Sequence, residues 1–224
     1  WEGFREAFER INFMIPIKIC GITNIEDAMF SAKSGVSAIG MIFYKKSPRY
    51  VSIDKAIEIS SKIPPSIARV GVFVDDDEEN IKYLIKKIPL SMLQLHGSES
   101  PNYCMKFSIP VIKAFRIKDK NSLSSINDYK VYGYLFDKFS QHLFGGTGRT
   151  FDWSILNRDF KSPFILSGGL NPENIIKAIS TVHPAALDIN SGVEKSPGVK
   201  DHEKIKSMIS ILKNIEVPNG FNFT

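Results

Sequence analysis

From Met14 onward, short apolar runs rich in β-branched residues alternate with amphipathic stretches of helical period, eight times over in about 200 residues and with no linker. The runs are IPIKIC (15–20), SAIGMIF (37–43), IARVGVFV (67–74), SMLQLH (91–96), PVIKAFRI (110–117), VYGYLFD (131–137), SPFILSG (162–168) and HPAALDI (183–189). Between them the apolar spacing changes to helical. Ile81, Leu84, Ile85 and Ile88 form one stripe, and Ile205, Met208, Ile209 and Leu212 another. Asn24 and Asn171 stand as caps, the latter with Pro172 in the first turn. Only the stretch NSLSSIND (121–128) is a weak helix. Regular strand–helix alternation implies right-handed parallel crossovers, and eight of them at this length imply a single compact α/β (β/α)8 barrel, a TIM barrel of phosphate-binding type. An open doubly wound sheet is the rival and leaves two edge strands to explain. Residues 14–215 are expected to form the barrel and 216–224, EVPNGFNFT, a frayed tail. Residues 1–13 are a leader, either an appendage or part of the fold. They carry acidic charges and no apolar h-region, unlike a secretory signal.

Barrels of this kind place reacting groups where strands end and loops begin. The polar residues there are Cys20, Arg49, Asp75, His96, Asp137, Ser167 and Asp188. Strand alternation puts Lys18 and Cys20 on one face, and Asp137 on the face of Gly133 and Leu135. Strands one and six are not neighbours, so Cys20 and Asp137 would face each other across the mouth, able to remove one proton and donate another. A thiolate there needs an electropositive setting, which Arg49 could supply in part. Taken alone, Cys20 is better read as a small buried hydrophobe, and Asp137 equally as a cap or an ion-pair partner.

Three glycine clusters follow strands six to eight: GGTG (145–148), SGGL (167–170) and NSGVE (190–194). Glycine lets backbone N–H groups approach an anion closely, and loops after strands seven and eight are the usual phosphate site of such barrels. The phosphate candidates are Gly146, Thr147, Gly148, Gly168, Gly169, Ser191 and Gly192. Neither GxxxxGK[ST] nor GxGxxG occurs.

Taken in order, KICGITNIEDA, IGMIFYKKSPRYV, GVFVD, LQLHG, LFDK with GGTGRTFDW, LSGGLNPENI and DINSGVE with PGVKD resemble the phosphoribosylanthranilate isomerase family of tryptophan biosynthesis, from about residue 17 to residue 201. The resemblance implies an Amadori rearrangement of N-(5-phosphoribosyl)anthranilate to 1-(o-carboxyphenylamino)-1-deoxyribulose 5-phosphate. It assigns Cys20 as general base, Asp137 as general acid and Arg49 as holder of the anthranilate carboxylate. It lets His96 line the anthranilate end, and Asp188 bind the ribose chain or act as a negative neighbour of Asp137. Asn190 and Lys138 depart from the family pattern and remove no reacting group. An isomerase of the related histidine-pathway aminoaldose, or a dual-substrate version, would need a second anion site across the barrel. A non-catalytic phosphate-binding barrel would be expected to have lost Cys20 or Asp137.

The net charge of +5 comes from 29 basic and 24 acidic residues, with no basic block interleaved with aromatics, so solvated helix faces fit better than nucleic-acid binding; the resemblance implies a small phosphorylated aminosugar as partner. No apolar stretch is long enough for a bilayer. Two cysteines and four scattered histidines suggest neither a disulfide framework nor a metal site, and the chemistry calls for no cofactor. The expectation is a cytoplasmic monomer, associated or fused with a neighbouring pathway enzyme if with anything.

Overall fold

The computed structural model of the chain describes residues 13–138, 151–213, 215–217 and 221–223. Eight parallel strands close into a barrel: β1 (Ile17–Ile19), β2 (Ala38–Ile42), β3 (Ala68–Phe73), β4 (Met92–Leu95), β5 (Val111–Ile117), β6 (Gly133–Lys138), β7 (Phe164–Leu166) and β8 (Ala186–Ile189). Each pairs with the next, and β8 returns to β1 with Lys18 opposite Asp188. Closure removes the edges that an open sheet would expose, so the doubly wound alternative falls.

Outside lie α1 (Ile25–Lys33), α2 (Ile53–Lys62), α3 (Glu78–Lys87), α4 (Pro101–Cys104), α5 (Ile175–Val182) and α6 (His202–Leu212). Their apolar stripes and the outward strand residues form one core. Asn24 caps α1, its side chain accepting from the Asp27 N–H. The expected weak helix is two 3-10 turns, Lys120–Leu123 and Ile126–Asp128. Helix α5 itself begins at Ile175, Asn174 before it makes no side-chain cap bond, and Asn171 caps the turn that leads into the helix, as expected. The Asn171 carboxamide accepts from the N–H groups of Glu173 and Asn174, and that of Asn174 accepts from the Asn171 N–H, so a side-chain-bonded turn precedes the helix.

The barrel interior is a second, smaller core of Ala38, Ala68, Val70, Met92, Ile112, Ala114, Leu135, Ile165 and Ala186. Its floor is built from small residues, and two aromatic rings fill the space that remains. Phe221 and Phe223 are 4% and 2% exposed and belong to this interior cluster. The Phe221 N–H donates to the Ala185 carbonyl at 2.9 Å, and any side chain at Gly133 would collide with the Phe221 ring. Residues 13–14 pair antiparallel with 216–217 beside them. These described tail residues therefore do not fray; they plug the N-terminal end of the barrel. Burying two phenylalanines contributes about 3–6 kcal/mol by transfer free energy, comparable to the backbone entropy lost in ordering about three residues.

Candidate active site

At the opposite end, the inward alternation brings Cys20, Ile42, Val72, Gln94, His96, Asp137, Ser167, Asp188 and Asn190 around one solvent-open cavity. Cys20 on the β1 side and Asp137 on β6 both line it, as strand parity predicts. Ser167, Gly168 and Gly169 after β7, and Ser191 and Gly192 after β8, form one wall. Gly168 and Gly169 have φ of +90° and +71°, a region that favours glycine. A Cβ on Gly192 would strike the Leu170 carbonyl, so the two glycine loops pack backbone to backbone. Gly146, Thr147 and Gly148 lie outside the described residues.

Asp137 is 4% exposed. Its Oδ1 accepts from the Lys138 N–H at 2.7 Å, and its Oδ2 lies 3.3 Å from His96 Nε2. Gln94 Nε2 stands 2.9 Å from His96 Nδ1, so glutamine, histidine and acid form a chain along the wall. Gln94 Oε1 and His96 Nε2 are buried and lack an aligned hydrogen-bond partner among the described residues. His96 thus belongs beside the proposed acid.

Cys20 is 4% exposed. Burial pushes its thiol upward from its ordinary pKa; Lys18 opposes this, Asp188 adds to it and Lys200 opposes it, leaving the net shift upward. The positive groups that act most on the thiol are therefore Lys18 and Lys200, where the sequence offered Arg49 for part of that role. Arg49 is tied elsewhere. Its Nε donates to Glu194 Oε1 and Oε2 at 2.9 and 3.1 Å, and its Nη2 to Oε2 at 2.7 Å. Its side chain passes over Gly21, where a Cβ would sit 2.8 Å from Arg49 Cδ. Glu194 also accepts from Lys200 Nζ and the Gly198 N–H. Burial alone would raise the Glu194 carboxyl, but Arg49 and Lys200 outweigh it and hold it below the usual range. Burial is also the largest influence on Lys200, whose pKa is lowered despite Glu194.

Asp188 lines the cavity but is committed to Lys18, Nζ to Oδ1 at 2.6 Å, so its nearest charge is positive and the expected pairing with Asp137 is not what positions it. Asp75, at positive φ, accepts from the Ser98 N–H through Oδ1 and serves the loop after β4. Sequence reasoning passed over Gln94, Gly40, Glu194 and Lys200. The alternation of SMLQLH could have flagged Gln94, which shares a face with His96. Asn190 is held by Lys200, Nζ to Oδ1 at 2.9 Å, which gives the departure from serine a structural role.

A thiol and a carboxyl facing one cavity beside two apposed glycine loops define an enzyme on a phosphate-binding (β/α)8 barrel. Residues 17–211 match the family model described as N-(5'phosphoribosyl)anthranilate (PRA) isomerase. The chain belongs to that family. It is 43% identical over 204 residues to the N-(5'-phosphoribosyl)anthranilate isomerase of Geotalea uraniireducens, covering 90% of this chain and all of that one. The crystal structure of the Thermotoga maritima phosphoribosyl anthranilate isomerase superposes with a TM-score of 0.85 at 44% identity, covering 90% of this chain and all of that one. Another solved structure is similar, with a TM-score of 0.80, 41% identity and 90% of this chain covered against all of its own. It is a phosphoribosyl anthranilate isomerase in complex with reduced 1-(o-carboxyphenylamino)-1-deoxyribulose 5-phosphate.

Proposed function

We propose that the chain converts N-(5-phosphoribosyl)anthranilate to 1-(o-carboxyphenylamino)-1-deoxyribulose 5-phosphate in tryptophan biosynthesis, with Cys20 as general base and Asp137 as general acid. The observation that carries the role assignment is that both groups, from strands on different sides of the ring, open onto one cavity that ends at the glycine loops. Asp137 gives its proton to the furanose ring oxygen as the C1′–nitrogen bond becomes a Schiff base. The cationic Schiff base acidifies the C2′–H, and the Cys20 thiolate takes that proton. The enolamine then tautomerises to the aminoketose, with no net change in redox state across the molecule. The phosphate is received by Ser167, Gly168, Gly169, Ser191 and Gly192, whose backbone can approach it closely. Glu194 fixes Arg49 through Nε and Nη2, and the remaining edge of the guanidinium is the part assigned to the anthranilate carboxylate.

Turnover is followed by loss of the substrate's anthranilate fluorescence. Cys20→Ser and Asp137→Asn should each lower kcat by at least about a hundredfold, the usual range for one acid or base. Absence of turnover in the parent would refute the activity, and parent-like turnover in either variant would refute its assigned role. The small-molecule partner needs no membrane, and among the described residues no helix is long and apolar enough to cross one. A cytoplasmic monomer is the reading we favour: both cysteines are free, and the exposed large apolar residues fall on separate segments.

A further inference from the structure

The base poses a difficulty that the structure answers. Cys20 is nearly closed off from water, where a thiolate is costly, yet proton abstraction needs one. Lys18, two residues earlier on the same inward face, is fully buried and lies opposite Asp188 in the β1–β8 register. Its ammonium bonds Asp188 at 2.6 Å. A Cβ on Gly40 of the neighbouring β2 would sit 2.9 Å from Cys20 Sγ, 3.0 Å from Lys18 Cε and 3.1 Å from Lys18 Nζ. Thiol and ammonium therefore meet over the bare backbone of Gly40, whose lack of a side chain leaves them that space.

We propose that Lys18, oriented by Asp188, is a positioning residue that acts through Cys20, supplying the buried counter-charge against which the thiolate forms. The proposal rests on the reading of Cys20 as the base. The charged groups facing Cys20 are Lys18 from its own strand, Asp188 from β8 and Lys200 from the segment after β8, while β2 brings only Gly40. Arg49, beside Gly21, is neutralised by Glu194. Burial alone would lower Lys18, but Asp188 and Cys20 outweigh it and keep the amine protonated. The Lys18–Asp188 pair is nearly neutral from a distance. At the thiol the ammonium outweighs the carboxylate, and the pair is held together in the substrate-free protein.

Two substitutions test this with opposite signs. Lys18→Met removes the cation and keeps the bulk; Asp188→Asn removes the competing anion and leaves the ammonium for the thiolate. Alkylation of Cys20 by iodoacetamide, read by peptide mass spectrometry across pH in the substrate-free protein, reports thiolate directly. Lys18→Met should raise the midpoint by about one pH unit or more, a tenfold loss of thiolate below it, and Asp188→Asn should lower it. The acid limb of kcat/KM should move with the midpoint in Lys18→Met. An unmoved midpoint in Lys18→Met, or shifts of the same sign in both variants, overturns the proposal. Should Lys18→Met fail to fold, Asp188→Asn decides alone: an unmoved or raised midpoint overturns it. Because the reading uses no turnover, it separates from the outcome with Cys20→Ser, which judges the base assignment.

Discussion

Glu194→Gln is the sharpest perturbation of the site that leaves the proposed acid and base untouched. The Glu194 side chain is 4% exposed and receives three hydrogen bonds from Arg49, one from Lys200 and one from a backbone N–H. The glutamine keeps the shape and removes the charge, so two buried cations face each other with no anion between them. Breaking a buried ion pair by removing one partner costs about 3–5 kcal/mol, chiefly the desolvation of the charge left behind. With a urea m-value of about 2 kcal/mol/M, the denaturation midpoint should fall by about 1.5–2.5 M. Arg49 also loses its fixed orientation, and a charge-assisted contact to the anthranilate carboxylate is worth about 1.5–3 kcal/mol, so KM should rise at least about tenfold while kcat changes less. The pH dependence has a definite sign. Glu194 titrates below its unfolded value, so its contribution is whole above the usual carboxylate range and disappears as pH falls through its lower folded value. That part of the acid loss should be missing in Glu194→Gln. Urea titrations at neutral and acid pH, with steady-state kinetics, measure all three. A midpoint within about 0.5 M of the parent together with an unchanged KM would refute the view that Glu194 both neutralises and aims Arg49.

Two further substitutions probe the two ends of the barrel. Gly40→Ala places a methyl 2.9 Å from Cys20 Sγ and 3.0 Å from Lys18 Cε, so kcat should drop at least about tenfold for a stability loss of only about 1–3 kcal/mol; kinetics beside a thermal melt distinguish the two. Phe223→Ala opens a cavity in the interior core at the far end, costing about 3–5 kcal/mol, or roughly 6–20 °C in Tm, with kcat unchanged; a parent-like Tm would return the tail to a frayed terminus.

The barrel was legible because its evidence is periodic. Eight changes from short apolar runs to helical spacing need no knowledge of contacts, and a period of two then fixes which residues turn inward. Cys20 and Asp137 reached the cavity on that rule alone. What escaped depends on closure. Lys18 meets Asp188 only because β8 registers against β1 across 170 residues, a consequence of how far the strands are staggered around the ring. The tail escaped for a related reason: Phe221 and Phe223 carry no period, and the hollow they fill exists only once Ala38, Ala68, Gly133 and Ala186 are brought together at one end. The turn into α5 was legible in NPEN, where the Asn171 carboxamide caps it; what escaped was the reciprocal bond to Asn174, whose Nδ2 also donates to the Gly169 carbonyl. Arg49 shows how a loop position leaves a side chain's partner undecided. Its place after the second strand offered it for part of the thiol's charge, but the segment after β8 delivers Glu194 to it and Lys200 toward Cys20. The two ends of the ring seam thus divide the electrostatic work: β8 and its following segment supply the carboxylates that aim two cations, and β1 and the loop after β2 supply the cations so aimed. A site organised in that way tolerates sequence change on the outer helices far better than any shift of stagger between β8 and β1, because one residue of slip would turn Lys18 or Asp188 out of the barrel.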